Sequence, residues 1–316
     1  MTIVSAASGV SVARENGVCA VLVTWQPELA LLGELLAALA PQVGQVVMVD
    51  NGTGDPGFRD FCAAHPEVTL LDLRENLGLA HAMNLGIARA RAMPGVSHVL
   101  LMDQDSVPEP AMVDLLKTMF DQLDASERVA AVGPCFRDPR EAEDAPFVRI
   151  GFPFNRKLRC DGTCKAVRCD FLISSGCLIP LAVLDDLGGM DDALFIDNVD
   201  LEWCFRARAA GYALYGLCAA HLRHSLGETR RKVPGLPRGI VVHSPRRLFY
   251  MMRNRVLLYR RACTPRQWIA QDVPRLLVKF LLFSLLVSPR RKNVRCMLAG
   301  IWAGARGRTS PPPGDA

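Results

Sequence analysis

The sequence predicts an α/β fold in which helices flank a mostly parallel sheet, with a helical extension at the C-terminus. Two observations carry that expectation. Short apolar runs alternate with segments whose leucines and alanines recur at helical spacing. Those runs are apolar on both faces, as strands covered by helices on either side must be.

Val18–Thr24 is the first run; Trp25–Pro27 breaks it, and Glu28–Leu39 continues as a helix. Val46–Val49 repeats the pattern and enters the turn Asp50–Gly54. Val68–Leu73 is a third strand, Leu79–Ala92 an Ala-rich helix, and His98–Met102 a fourth strand that ends in acids. Ligands of such sheets bind beyond the carboxyl ends of the strands, which singles out Thr24, Asp50, Asn76 and Asp103. Pro108 then opens a helix expected to reach Phe120, with Ser106 as its cap. Pro139–Lys165 is polar and irregular, a loop or hairpin insertion. Thr229–Gly239 has prolines and glycines among basic residues and is expected to be a mobile loop. Residues 1–17 lack the charged start and continuous apolar core of a secretory signal and read as a flexible leader; residues 309–316 read as a disordered tail.

A chain of 316 residues, half of them apolar, can bury one large core or two modest ones, which excludes disorder of the whole. The 11 cysteines are odd in number, and Cys19, Cys177 and Cys204 lie inside apolar stretches, so they are expected as reduced core thiols of a cytosolic protein. Cys160, Cys164 and Cys169 have no matching His/Cys pair to complete a zinc site. The net charge is +5, and basic residues concentrate between Arg223 and Arg308, which suits an anionic ligand or surface. Leu276–Val287 is nearly all apolar but too short to span a bilayer, and Arg290–Lys292 follows it. It fits either a buried helix or a helix lying at a membrane surface.

The central chemical signal is Asp103 and Asp105, one residue apart where an apolar strand enters a loop. Residues two apart on extended backbone point the same way, so both carboxylates can share a hard cation such as Mg2+ or Mn2+. The same pair also suits the start of a helix. It further resembles the first motif of haloacid-dehalogenase-type phosphatases, with Asp103 as nucleophile, although that motif closes the first strand of its fold and three strand-like units precede it here. A second acid cluster, Asp197, Asp200 and Glu202, opens a helix near Phe195 and Trp203. Burial there would raise a carboxylate's proton affinity and fit it to be a base, while acids at a helix start are favoured by the dipole without any catalysis. His221 and His224 follow, and an imidazole could complete a metal site.

Taken together and in order, these residues resemble the family 2 glycosyltransferases, more narrowly their rhamnosyltransferase-like branch. The matching segments are Val21–Pro27, Val49–Gly52, Glu75–Gly78, Asp103–Ser106, Ser175–Gly176, Phe195–Trp203, His224–Gly227 and His243–Pro245 with Arg253–Asn254. The resemblance implies a GT-A (Rossmann-like) fold, with a catalytic domain at 18–240. Residues 18–120 would form its nucleotide-binding half and 121–240 its acceptor-binding half. A helical region at 241–308, with a possible contact to membrane, would follow. It implies that Thr24, Trp25, Asp50, Asn51, Asn76, Gly78, Asn84, Asp103, Gln104 and Arg253 contact the nucleotide sugar. Ser175, Gly176 and Trp203 would meet the acceptor, and Asp103, Asp105 and His224 would hold Mg2+ or Mn2+. Asp200 ranks first as general base, then Glu202, then Asp197, because many relatives carry an adjacent Glu-Asp pair and Val199 stands here instead. Trp25 and Trp203 suit stacking or core packing alike. Arg253 and Arg255 suit either a phosphate or a solvated helix face. The expected reaction is inverting transfer of L-rhamnose from dTDP-rhamnose to a glycan or lipid-linked glycan acceptor at the inner face of the cell membrane. Galactofuranose or another hexose from a UDP donor, or a non-catalytic nucleotide-sugar binding module, are the alternatives, and no nucleic-acid partner is expected.

Overall fold

The computed structural model of the chain describes residues 2–4, 16–137, 144–160, 162, 165–224, 230–233 and 236–309, with backbone alone for 2–4, 224, 230–233 and 236–240. The central sheet begins with the expected parallel strands β2 (Val18–Thr24), β3 (Gln45–Asp50), β4 (Val68–Asp72) and β5 (His98–Asp103), in the spatial order β4-β3-β2-β5. An edge strand β1 (Thr2–Val4) pairs antiparallel with β4, so the expected leader contributes a strand at its start. On the other side the sheet becomes mixed. The strand β11 (Cys177–Pro180) runs antiparallel between β5 and β7 (Val129–Arg137), followed by β12 (Ala213–His224), parallel to β7, and β10 (Ala166–Cys169) at the far edge.

Helices cover both faces because alternate residues of each strand point opposite ways. In β2, Val18, Ala20 and Leu22 pack against α1 (Leu29–Leu39), α2 (Pro56–Ala63) and α4 (Met112–Asp124). Cys19, Val21 and Val23 face the other way, toward α3 (Leu79–Arg91), α5 (Leu181–Leu187) and α6 (Val199–Ala209). The four buried leucines of α1, Leu32, Leu35, Leu36 and Leu39, each contribute about 2 kcal/mol by leaving water. Helix α3 lies close to the sheet because Gly86 faces Val21 and Val49, where a Cβ would come within 2.3 Å of the Val21 side chain.

Three expectations need correction. Ser106–Pro108 is a short strand, β6, paired antiparallel with the end of β12, so helix α4 starts only at Met112 and Ser106 is no cap. The backbone of Arg230–Val233 (β13) and Leu236–Val241 (β14) pairs as a hairpin where a loop was expected. Cys160 and Cys218 are joined by a disulfide that ties the insertion after β7 to β12, so those two are not reduced thiols; the other described cysteines are free, most of them buried. Within the expected insertion, Phe147–Arg149 (β8) and Arg156–Leu158 (β9) form a small hairpin. Residues 310–316 of the expected tail lie outside the described residues.

Three helices close the chain: α7 (Pro245–Tyr259), α8 (Arg266–Leu285) and α9 (Arg290–Ala305). Pro245 at the first helical position and Ser244, whose Oγ accepts from Arg247 N at 3.2 Å, start α7. Helix α9 packs closely on α7, where Gly300 and Gly304 sit against the carbonyls of Phe249 and Arg253. The apolar run at 276–287 is split: Leu276, Phe283 and Val287 are buried, while Leu277, Val278, Leu281 and Leu285 are exposed.

Candidate active site

A cleft of about 460 Å³ opens at the carboxyl ends of β2 and β5, where the sequence places it. One wall comes from Thr24 and Trp25, Asn51, and Asn76. These positions are fixed by a local network. Asn51 accepts from Leu77 N at 2.8 Å and donates to Asn76 Oδ1 at 3.1 Å, and Asn76 accepts in turn from Gly78 N at 3.0 Å. Gln104 brackets the Trp25 backbone on both sides, accepting from its N–H at 2.7 Å and donating to its carbonyl at 3.1 Å. Asp50 lies behind this wall rather than on it. Its carboxylate accepts from Thr24 Oγ1 at 3.3 Å, from Thr53 N at 3.0 Å and from the Thr53 hydroxyl, so it shapes the turn 51–54.

The floor carries Asp103 and Asp105, with Asp200 contributing from the start of α6. Burial pushes the Asp103 carboxyl up to about 7, and the neighbouring charges of Asp105 and Asp200 add to the effect. Burial likewise pushes Asp200 up to about 6, against backbone hydrogen bonds that pull it down; its Oδ1 accepts from Leu201 N at 2.7 Å. Neither Asp103 nor Asp200 forms an ion pair among the described residues. The backbone of His224 lies opposite Ser106 in the β6–β12 register, next in sequence to Asp105, and its side chain lies outside the described residues.

The other acids of the second cluster are occupied. Glu202 is buried and ion-paired with Arg206 at 3.0 Å and Arg261 at 2.7 Å, outside the cleft, so it does not stand as a base. Asp197 lines the cleft but is held by Arg247 at 2.9 Å. Arg247 is a cleft residue that the sequence reading missed; the only signal for it was the Ser-Pro helix start immediately before it. Ile173 and Ser174 were missed as well, and Phe195 and Asn198, inside the matching segment Phe195–Trp203, also line the cleft.

Several expected contacts belong to the scaffold instead. Ser175 is buried and its Oγ accepts from Asp103 N at 3.4 Å, while Gly176 donates to Leu101 O at 2.7 Å; the neighbouring Ser174 lines the cleft. Trp203 is core, with its indole donating to Gly188 O at 3.1 Å. Asn84 ties α3 to the loop before α6 through Met190 and Asp192 and stays outside the cleft. Gly78, at φ +95, lets Phe195 pack where a Cβ would approach to 2.6 Å. Arg253 is 0% exposed, neither a phosphate ligand nor a solvated residue. It donates to the carbonyls of Ala193 at 2.7 Å, Leu194 at 3.0 Å and Thr309 at 2.7 Å. Asn254 adds bonds to the carbonyls of Leu194, Ile196 and Asp197. Arg255 pairs with Asp272.

That grip has a purpose in the backbone it holds. Phe195, Asp197 and Asn198 have φ of 64°, 65° and 62°, left-handed values that L residues rarely adopt. Such strain persists only where surrounding contacts over-determine it, and it gathers at functional sites. Here Arg253, Asn254 and the stack of Tyr250 on Phe195, 4.6 Å between centroids, supply those contacts just before Asp200.

A second cluster of ligating atoms, Cys135, Asp144 and His221, lies outside the cleft. Asp144 is engaged by Arg137, whose guanidinium holds the carboxyl below its usual range, and burial pushes the Cys135 thiol up to about 11. His221 Nδ1 lies 3.9 Å from the Asp144 carboxylate, without a hydrogen-bond partner among the described residues.

Residues 20–173 match the model of Glycosyl transferase family 2. The chain is 30% identical over 298 residues to the dTDP-rhamnosyl transferase RfbF of Shigella flexneri, covering 93% of this chain and 97% of that one. The chain belongs to glycosyltransferase family 2. It is therefore a glycosyltransferase, and membership in this family displaces the phosphatase alternative. Solved structures similar in fold include S. aureus TarS 1-349 in complex with UDP-GlcNAc, with TM-score 0.55, 14% identity, and 92% of each chain covered. Another is GalNAc-T7 with UDP, GalNAc and Mn2+, with TM-score 0.54 and 13% identity; it covers 75% of this chain, which spans only 47% of that one. Both likenesses concern the GT-A fold of this family 2 member.

Proposed function

We propose that this family 2 chain transfers L-rhamnose from dTDP-L-rhamnose to a hydroxyl of a glycan or lipid-linked glycan, with inversion at the anomeric carbon. The observation that carries the reading is the Asp200 carboxylate, half-buried, without a cationic partner among the described residues and facing the same cleft as Asp103 and Asp105. A carboxyl pushed up to about 6 is ionised at neutral pH yet basic enough to take a proton from a sugar hydroxyl. In the proposed step Asp200 accepts that proton while the acceptor oxygen bonds to the anomeric carbon and the bond to the diphosphate breaks. The 30% identity to a dTDP-rhamnosyl transferase supports this donor.

Asp103 and Asp105 fit a divalent ion, Mg2+ or Mn2+. They are hard oxygen donors at one strand end, and burial together with the neighbouring charge of Asp105 pushes Asp103 up. When bound there, the ion would stabilise charge on the departing diphosphate. Two carboxylates plus donor phosphates match the coordination Mg2+ favours, and His224 is the residue placed by sequence to add a third protein contact. Thr24, Asn51 and Asn76 would orient the nucleotide, and Trp25, 48% exposed at the cleft mouth, offers a face for stacking.

A second reading keeps the reaction and changes the donor to a UDP sugar, such as galactofuranose or another hexose, since the TarS structure of like fold is a UDP-GlcNAc complex. Thermal shift with dTDP-rhamnose and with UDP sugars, each with and without Mn2+, separates the two, because a ligand of the folded state raises the melting point. The proposal expects the larger shift, dependent on metal, from dTDP-rhamnose. A larger shift from a UDP sugar would move the assignment to the second reading.

A further inference from the structure

Helices α8 and α9 present a face that the rest of the chain leaves uncovered among the described residues. Leu277, Val278, Leu281 and Leu285 lie on the outside of α8, with Leu281 and Leu285 56% and 61% exposed. Leu298 and Trp302 continue the apolar surface on α9. Exposed apolar residues are ordinary when scattered, and significant when gathered on adjoining helices. From Val273 to Thr309 the chain carries eight Lys and Arg and no Asp or Glu. Arg290, Arg291, Lys292 and Arg295, at the start of α9, are exposed. At its other end the guanidinium groups of Arg306 and Arg308 lie over the ring of the exposed Trp302 at 3.9 and 4.8 Å.

We propose that this α8–α9 face docks on an anionic lipid surface, its leucines and Trp302 entering the headgroup boundary while the flanking arginines meet lipid phosphates. The pattern of an apolar face rimmed by cations is that of helices that lie in a membrane interface. No helix among the described residues is long and apolar enough to cross a membrane, so the contact is peripheral. Charge decides between lipid and a second copy of the chain. Pairing this face with itself would set cations against cations with no acid within the segment to offset them, whereas an anionic surface complements every one. The face is joined to the cleft through α7, which packs on α9 at Gly300 and Gly304 and grips the loop before Asp200 through Arg253 and Asn254. The inference goes beyond the proposed transfer and does not depend on which sugar moves.

Sedimentation with vesicles, without nucleotide sugar, tests it. The full chain should pellet with vesicles of phosphatidylcholine containing phosphatidylglycerol, bind vesicles of phosphatidylcholine alone far less, and be released by high salt. Leu281→Glu/Leu285→Glu and Arg291→Glu/Lys292→Glu should each weaken binding by about tenfold or more, since each surface cation contributes about 1 kcal/mol near such a membrane. Both pairs are exposed, so unchanged melting points show that folding is intact. Absence of binding to the anionic vesicles, or equal binding by the leucine variant, overturns the proposal. So does a dimer in light scattering that the leucine variant dissolves, because a second copy would then cover the face. Donor binding by thermal shift, read separately in the same variants, reports on the transfer reaction alone.

Discussion

The two acid clusters of this chain differ in their company more than in their composition. In the segment 191–202, Asp191 is bonded to Arg261, Asp192 to His81, Asp197 to Arg247, and Glu202 to both Arg206 and Arg261. Asp200 alone among them has no cation, and it shares that condition with Asp103 across the cleft. Paired carboxylates hold a strained loop in place. Unpaired ones keep their charge available, at a cost in desolvation that burial makes plain, and such groups are where chemistry is found.

Asp200→Asn tests the difference at its largest. Turnover should fall by about 10³-fold, the middle of the range for losing a general base, while donor binding measured by thermal shift persists. Glu202→Gln, a change of the same kind two residues away, should lower the melting point and leave turnover per folded molecule nearly unchanged. Equal loss of turnover in both variants would erase the distinction drawn between the clusters. Next comes the clamp. Arg253→Met removes the donors to the carbonyls of Ala193 and Thr309 and one of the two donors to Leu194, and should cost about 3 kcal/mol in urea unfolding together with a drop in kcat. Arg253→Lys should recover only part of both, because an ammonium cannot reproduce the planar fork.

Much of this is legible in the sequence itself. The runs at 18–24, 46–49, 68–73 and 98–102 became neighbouring parallel strands because each is apolar on both faces, a local property that only a covered parallel sheet satisfies. Asp103 and Asp105 were legible for the same reason, since strand ends follow from strand runs. The choice among Asp197, Asp200 and Glu202 could be ranked but not decided, because it depends on Arg206, Arg247 and Arg261 folding back, up to 70 positions away along the chain for Asp191 and Arg261. Arg253 misled for a related reason: an arginine beside Tyr250 and Asn254 on a basic helix looks solvated until the loop it grips is seen. The antiparallel insertion of β11 between β5 and β7 also lay beyond reach, as a four-residue apolar run carries no information about its direction.

The pH dependence of stability sharpens the comparison further. Asp103 has a folded value of about 7, above the ordinary 3.8. Between those values the folded state holds a proton that the unfolded chain has released, so the metal-free protein loses stability as pH rises from about 4 to 7, and is spared that loss below. In EDTA, Asp103→Asn should therefore be more stable than wild type by roughly 4 kcal/mol at pH 8, with the gap closing toward pH 4. It should be inactive at both. A wild type whose stability, relative to the variant, is flat across that range would show that Asp103 is solvated or paired in solution.

Asp192→Asn should do least. Its partner His81 sits 2.8 Å away, but both side chains are largely open to solvent, where water screens the pair and an ion pair is worth less than about 1 kcal/mol. The substitution also keeps a hydrogen-bonding side chain beside Asn84, so the loop's attachment to α3 survives. The measurement is a urea midpoint and a turnover number, both expected to match wild type within about 0.5 kcal/mol and twofold. A large fall in turnover here would mean that even the exposed, paired acids of this loop set the position of Asp200, and that the division between scaffold and chemistry runs along the loop rather than between its carboxylates.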